Sequence, residues 1–166
     1  MKVNIALLTV TDTRTIDNDK SGGILVNKIQ EANHNLIDRK ICKDNKNEIV
    51  VILKDWLKSS EIDVIITTGG TGLTGRDITP EALDEVAEKY ILGFGELFRN
   101  LSLKTVGTSA IQSRACAVLS NGKYIFALPG SSGGVTDAWE GILKHQLDIN
   151  HKPCNFVELF PRLKEK

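Results

Sequence analysis

The feature that most constrains this chain is a junction: the run Ile62-Asp63-Val64-Ile65-Ile66-Thr67 passes without a break into Thr68-Gly69-Gly70-Thr71-Gly72. A short, β-branched apolar run reads as a strand buried on both faces. Glycines at its end let the chain turn sharply and let another group approach the backbone with no Cβ in the way. Two further apolar runs precede this one, Val3 to Val10 and Leu36 to Cys42. Each is separated from the next by a helical pattern. Ser21 can cap a helix running to about Asn33, with Leu25, Ile29 and Ala32 on one face. Asn45 and Glu48 have the spacing of a capping box, followed by Ile49, Leu53, Trp56 and Leu57 on a shared face. Strands alternating with helices predict a parallel sheet covered on both sides.

The second half adds a variation. Thr79-Pro80 reads as an N-cap followed by proline at the first helical position, and Leu83, Val86, Ala87 and Tyr90 then recur at helical spacing. A shorter helical stretch follows from Gly95 to Leu103. Asn121-Gly122 lies between the apolar runs Ala115–Ser120 and Tyr124–Leu128, which is a hairpin signal and adds one antiparallel strand. A last long helix carries Val135, Trp139, Ile142, Gln146 and Leu147 on one stripe. The tail from His151 to Lys166 is too short for a core of its own, so it packs on the domain or on a neighbouring subunit. The expectation is one three-layer α/β domain over residues 1–166, with a mostly parallel sheet, helices on both faces and one antiparallel hairpin strand.

Composition narrows the partners. Lys plus Arg (21) balance Asp plus Glu (21), so no net field draws in DNA, RNA or an anionic membrane surface. Three widely spaced cysteines, Cys42, Cys116 and Cys154, form no CxxC pair and suit a reducing compartment better than a disulfide framework or a zinc site. No stretch approaches the roughly 18 apolar residues of a membrane span, and the N-terminal segment lacks a cleavable leader pattern. A cytoplasmic protein is expected.

Chemistry concentrates where the strands end. Successive backbone N–H groups of a glycine loop bind phosphate, and the carboxyl edge of an open α/β sheet is where ligands sit. Gly70 to Gly75 also satisfies GxGxxG, but the next helix waits until Thr79-Pro80, which does not suit a dinucleotide fingerprint. No Gly-Lys-Ser/Thr closes a Walker loop. Asp77 lies in the same loop, where a carboxylate beside phosphate calls for a bridging cation such as Mg²⁺; a plain helix-start acid is the other reading. Asp44, just after the second strand, is open to the same two readings. Pro129-Gly130-Ser131-Ser132-Gly133-Gly134 offers a second small-residue loop, either an anion seat or a bend into the last helix. His34, His145 and His151 share no ligand spacing. Ser113-Arg114 could touch an anion, although a solvated loop is the commoner fate of such a pair.

Thr67 to Leu83 (TTGGTGLTGRDITPEAL) and Phe126 to Gly134 (FALPGSSGG) resemble the molybdenum cofactor biosynthesis family. The resemblance runs nearly end to end, through LLTVTDTR, DKSGG, GFGELFRNLS, GTSAIQSRA and KPCNF, and is to the B-type branch. Molybdopterin adenylyltransferases and the matching domain of gephyrin-type proteins are its relatives. The resemblance implies adenylyl transfer from Mg-ATP to molybdopterin with release of pyrophosphate. It implies catalytic and metal-linked roles for Asp77 and Asp44, and a binding loop at Gly69, Gly70, Thr71 and Gly72. It places Ser21, Gly130 and Ser131 near the ligand and implies a homotrimer or homohexamer. After Pro129-Gly130 the adenylyltransferases usually carry a further proline nearby; this chain has Ser131-Ser132-Gly133-Gly134, as the B-type branch does. A non-catalytic molybdopterin or nucleotide binding module and an oligomeric scaffold are the alternatives. Two acids beside a phosphate seat favour the enzyme, because carboxylates weaken anion binding unless they hold a metal.

Overall fold

The computed structural model describes residues 1–165. Six strands form one sheet in the order β2-β1-β3-β6-β5-β4. β1 (Asn4–Val10), β2 (Asn35–Cys42), β3 (Val64–Thr68) and β6 (Lys123–Leu128) pair in parallel, whereas β5 (Cys116–Ser120) runs antiparallel to both β6 and the two-residue β4 (Lys89–Tyr90). The expected mostly parallel sheet with one antiparallel strand is therefore present. Asn121 and Gly122 both have positive φ, 46° and 70°, as the twist of a two-residue hairpin requires.

Alternation along each central strand divides the core in two. Ile5, Leu7, Val64, Ile66, Tyr124 and Phe126 face α1 (Lys20–Glu31), α4 (Leu92–Val106) and α5 (Ser132–Ala138). Ala6, Leu8, Ile65, Ile125 and Ala127 face α2 (Lys46–Lys58) and α3 (Thr79–Asp84). Both faces of β1, β3 and β6 are thus dry, which is why these strands read as unbroken apolar runs. The tail settles on its own domain: Phe156 and Phe160 pack on the Tyr124 ring, at 4.7 and 5.6 Å between centroids.

Several local expectations are corrected. The helix predicted to continue to Tyr90 stops at Asp84, because Glu88 and Ile91 donate their N–H groups to Leu119 and Ala117 of β5. Pairing with an open sheet edge satisfies that backbone better than a further turn of helix, and it leaves Tyr90 exposed. Asp19, not Ser21, caps α1, accepting from the Gly22 N–H. Thr79 lies inside α3, and its hydroxyl donates to the Gly69 carbonyl instead of capping the helix. The last helix passes from α5 through a π-helical turn at Trp139–Leu143. That turn moves Leu143 onto the buried stripe and leaves Gln146 half-buried.

Candidate functional site

The strand order reverses between β1 and β3. Outside their carboxyl ends lies the crevice where open α/β sheets bind ligands. The loops after β1, β3 and β6 all reach it, and hydrogen bonds tie the last two together. Thr68 Oγ1 donates to the Pro129 carbonyl at 2.7 Å, and the Gly69 N–H donates to the Leu128 carbonyl. Gly69 (φ 101°) is pressed so close to β1 that a Cβ would lie 2.1 Å from the Val10 carbonyl oxygen. Gly70 (φ 67°) leaves no more room: a Cβ would lie 2.4 Å from Thr79 Oγ1 and 3.0 Å from an Asp44 carboxylate oxygen. At both positions only glycine keeps the loop in this shape.

The two predicted acids flank this loop. Asp77 stands behind Gly72, where a Cβ would meet its carboxylate at 2.7 Å. Its oxygen accepts from the Thr74 N–H at 2.8 Å and the Thr74 hydroxyl at 2.7 Å. Burial works to raise the Asp77 pKa, but the Thr74 bonds, the Gly72 backbone and Arg114 together hold it below the usual carboxylate value. Asp44 shifts the other way: burial raises it, and the charges of Asp12 and Asp77 raise it further. Asp12 was not singled out from sequence, yet the β1–β2 register pairs Val10 with Cys42 and so sets Asp12 beside Asp44. Aligning the two strand ends would have found it. Asp12 is gripped by Arg76 through Nε and Nη2 at 2.7–2.9 Å, an ion pair bridging the β1 and β3 loops.

Ser21 is fully buried and supports the site from beneath. Its hydroxyl accepts from Arg14 Nη1 at 3.0 Å, and the same nitrogen donates to the Gly130 carbonyl at 3.1 Å. Behind it Asp19 accepts from Thr9 Oγ1 (2.6 Å) and Arg39 (3.0 Å). Gly130 packs against Gly69, and Ser131 caps α5 by accepting from the Gly134 N–H. Arg114 is not in a solvated loop. Its backbone N–H donates to Thr71, while its guanidinium donates to the carbonyls of Gly72 (2.7 Å) and Asp77 (3.0 Å) and pairs with Glu81. No local pattern signals this role, since its partners lie some forty residues away.

A cleft of about 660 Å³ opens between the glycine loop, α4 and α5. Gly70, Thr71, Gly72, Asp77, Gly130 and Ser131 line it; Gly69, Ser21 and Asp44 do not, Asp44 lying across Gly70. Among the described residues no three His, Cys, Asp or Glu side chains come together as a self-sufficient metal cage. Among the described residues no helix is long and apolar enough to cross a membrane.

Fold and site together define an open α/β domain with a cleft between the loops after β3 and β6 at the carboxyl edge of the sheet, with Asp77 in its lining. The family model described as "Probable molybdopterin binding domain" matches residues 6–149, and the chain belongs to this molybdenum cofactor biosynthesis family. Molybdenum cofactor biosynthesis protein B of Escherichia coli strain K12 is 44% identical over 161 residues, covering 97% of this chain and 93% of that protein. Its counterpart in Staphylococcus aureus strain MRSA252 is 47% identical over 149 residues, 88% of each. A crystal structure of molybdenum cofactor biosynthesis protein B matches with a TM-score of 0.89 at 36% identity, covering 100% of this chain and 98% of the other. The tungsten cofactor synthesizing protein from Pyrococcus furiosus gives 0.77 at 34%, covering 87% and 92%.

Proposed function

We propose that this chain adenylylates molybdopterin: a terminal phosphate oxygen of molybdopterin attacks the α-phosphorus of ATP, the new P–O bond forms, and pyrophosphate leaves. The observation that carries this reading is the placing of Asp44 and Asp77 against two glycines of one loop, Gly70 and Gly72. Glycines there leave backbone N–H groups open to phosphate. Acids beside them would repel phosphate unless a cation intervened.

The donor set fits Mg²⁺. Mg²⁺ is held by one or two carboxylates together with substrate phosphates, not by a dedicated protein cage, and Asp44 bears the excess negative charge of its neighbours. Asp44 and Asp77 would hold the ion, which neutralises phosphate charge when bound. Asp77 is the better-positioned of the two, its carboxylate fixed by Thr74 and ionised at neutral pH, so it would also orient the attacking phosphate. The Thr79 N–H donates to the Gly70 carbonyl and Arg114 Nε to the Gly72 carbonyl, so both glycines are tied in place.

The test is Asp77→Asn. Asparagine keeps the size and one acceptor oxygen, so folding should change by less than about 1 kcal/mol. Pyrophosphate release from molybdopterin and Mg-ATP should slow by a factor on the order of a hundred or more. Normal turnover with a lowered melting temperature would make Asp77 a structural residue and remove the basis of this reading.

A further inference from the structure

The amino edge of the sheet, opposite the glycine loop, holds a separate cavity of about 340 Å³. It lies where α2 ends and β3 and β6 begin, and the tail closes one side of it with Phe160 and Lys164. Three lysines line it: Lys58 at the end of α2, Lys123 at the start of β6, and Lys164. Gly122, at φ 70°, makes room for the last of these, since a Cβ there would lie 2.5 Å from Lys164 Cε. Asp63 is the one carboxylate in the lining, and its Oδ2 accepts from the Asn4 N–H at 2.9 Å. In a chain whose charges balance at 21 and 21, three cations against one acid is a local excess.

Lys123 is only 7% exposed, and a charge buried to that degree is ordinarily paired with an opposite one. Among the described residues no carboxylate pairs with it. Its Nζ donates to the Ile62 carbonyl at 2.7 Å, one acceptor for an ammonium with three N–H donors. Burial and the charge of Lys164 both lower its pKa, and Asp63 opposes them. The carbonyls around it are already engaged: Leu57 accepts from Asn121 Nδ2 at 2.8 Å, and Ile62 from Lys123 itself. Ser59 Oγ accepts from the Glu61 N–H, which leaves its own proton free to donate, and Ser60 adds a second hydroxyl. Donors are in excess, and their complement is an anion with several acceptor oxygens. We infer that this cavity binds a phosphate group, as inorganic phosphate or a small phosphate monoester, with Lys123 and Lys164 neutralising its charge and Ser59 and Ser60 donating to its oxygens. A carboxylate, with two oxygens in one plane, would meet fewer of these donors. The site is separate from the glycine-loop cleft and does not depend on the proposed function.

Equilibrium dialysis of the intact protein against radiolabelled inorganic phosphate, with glycerol 3-phosphate and acetate as competitors, tests this. The wild type should bind phosphate, and glycerol 3-phosphate should displace it where acetate does not. Lys164→Glu changes an exposed side chain, so urea unfolding should stay as in the wild type while phosphate affinity falls by about fivefold or more. Lys123→Met should abolish binding; because it also removes a buried hydrogen bond, Lys164→Glu is the variant that decides the case if Lys123→Met fails to fold. Displacement by the ester at lower concentration than by unlabelled phosphate assigns the site to esters, and the reverse assigns it to the free ion. No phosphate binding, binding that Lys164→Glu leaves unchanged, or acetate competing as well as the ester would each overturn the inference. Phosphate held at the glycine loop instead would give the second of these results. Pyrophosphate release from molybdopterin and Mg-ATP, measured separately, should be the same in Lys164→Glu as in the wild type, so this inference and the adenylyl transfer reading stand or fall independently.

Discussion

Asp44 and Asp19 lie at the same edge of the sheet and are shifted in opposite directions. For Asp19 burial raises the pKa, but Thr9, the Gly22 N–H and Arg39 outweigh it, so the carboxyl stays ionised to lower pH than usual. Its contribution to stability is present above the ordinary carboxylate value of 3.8 and is lost as pH falls through the depressed one. Asp44 accepts no side-chain hydrogen bond to offset burial and the neighbouring Asp12 and Asp77 charges, so its pKa is raised. The folded state then holds the Asp44 proton more tightly than the unfolded chain does, and stability declines as pH rises from 3.8 through the raised value. Asp44→Asn is therefore expected to stabilise the ligand-free protein at pH 7. The gain should vanish as pH falls into the ordinary carboxylate range. Urea unfolding of both proteins at pH 7 and pH 4 checks this, and Mg-ATP affinity should fall in the same variant. Such a result would match the metal-linked role proposed for Asp44 beside the glycine loop.

At the scale of elements, the glycine loop is held by a residue from the other half of the chain. Arg114 makes bonds to Thr71, Gly72, Asp77 and Glu81, and these stand in for a helix that does not begin until Thr79. Arg114→Ala should cost about 2 kcal/mol in urea unfolding, because it removes charge-assisted bonds and leaves two carbonyls and a carboxylate without their donor. Amide exchange should rise from Gly72 to Asp77 well before β3 and β6 open. Arg114→Lys should recover only part of the loss, since an ammonium cannot fork to three acceptors. Helix and strand signals anticipated nearly every element, because apolar period and capping residues act locally. The exception, Val86 to Tyr90, is a helical pattern overridden by the open edge of β5. Sheet edges exist only after the chain has folded, so no local signal reports them.

For the whole molecule, half of the twelve exposed large apolar residues lie on three successive elements. Tyr90, Leu92, Leu97, Leu103, Val106 and Ile111 stand out from β4, α4 and the short helical turn after it, with Leu92 72% and Ile111 81% exposed. Several large apolar side chains exposed on neighbouring elements mark a candidate association surface. Together with the homotrimer or homohexamer expected from the sequence, it predicts association of copies through this region. Light scattering should give three or six times the 18.2 kDa of one chain, and Ile111→Lys should shift the mass toward one. A single 18.2 kDa species for the wild type at micromolar concentration would contradict this.

The sequence by itself determined the layers, the parallel sheet, the hairpin and the glycine loop, because burial on two faces, capping and positive φ each leave a short-range mark. It also pointed to Asp44, two residues after β2, and to Asp77, in the loop between β3 and α3. What only the tertiary structure decided was which charges these acids face. Asp12 stands beside Asp44 because of a strand register, Arg114 reaches Asp77 across thirty-seven residues, and Ser21 turns inward to Arg14 instead of capping its helix. The cleft wall was equally hidden, being the product of two helices, α4 and α5, that meet on one face of the sheet. Electrostatic and hydrogen-bond partners are set by distance in space, and distance in space is fixed only once the layers have packed.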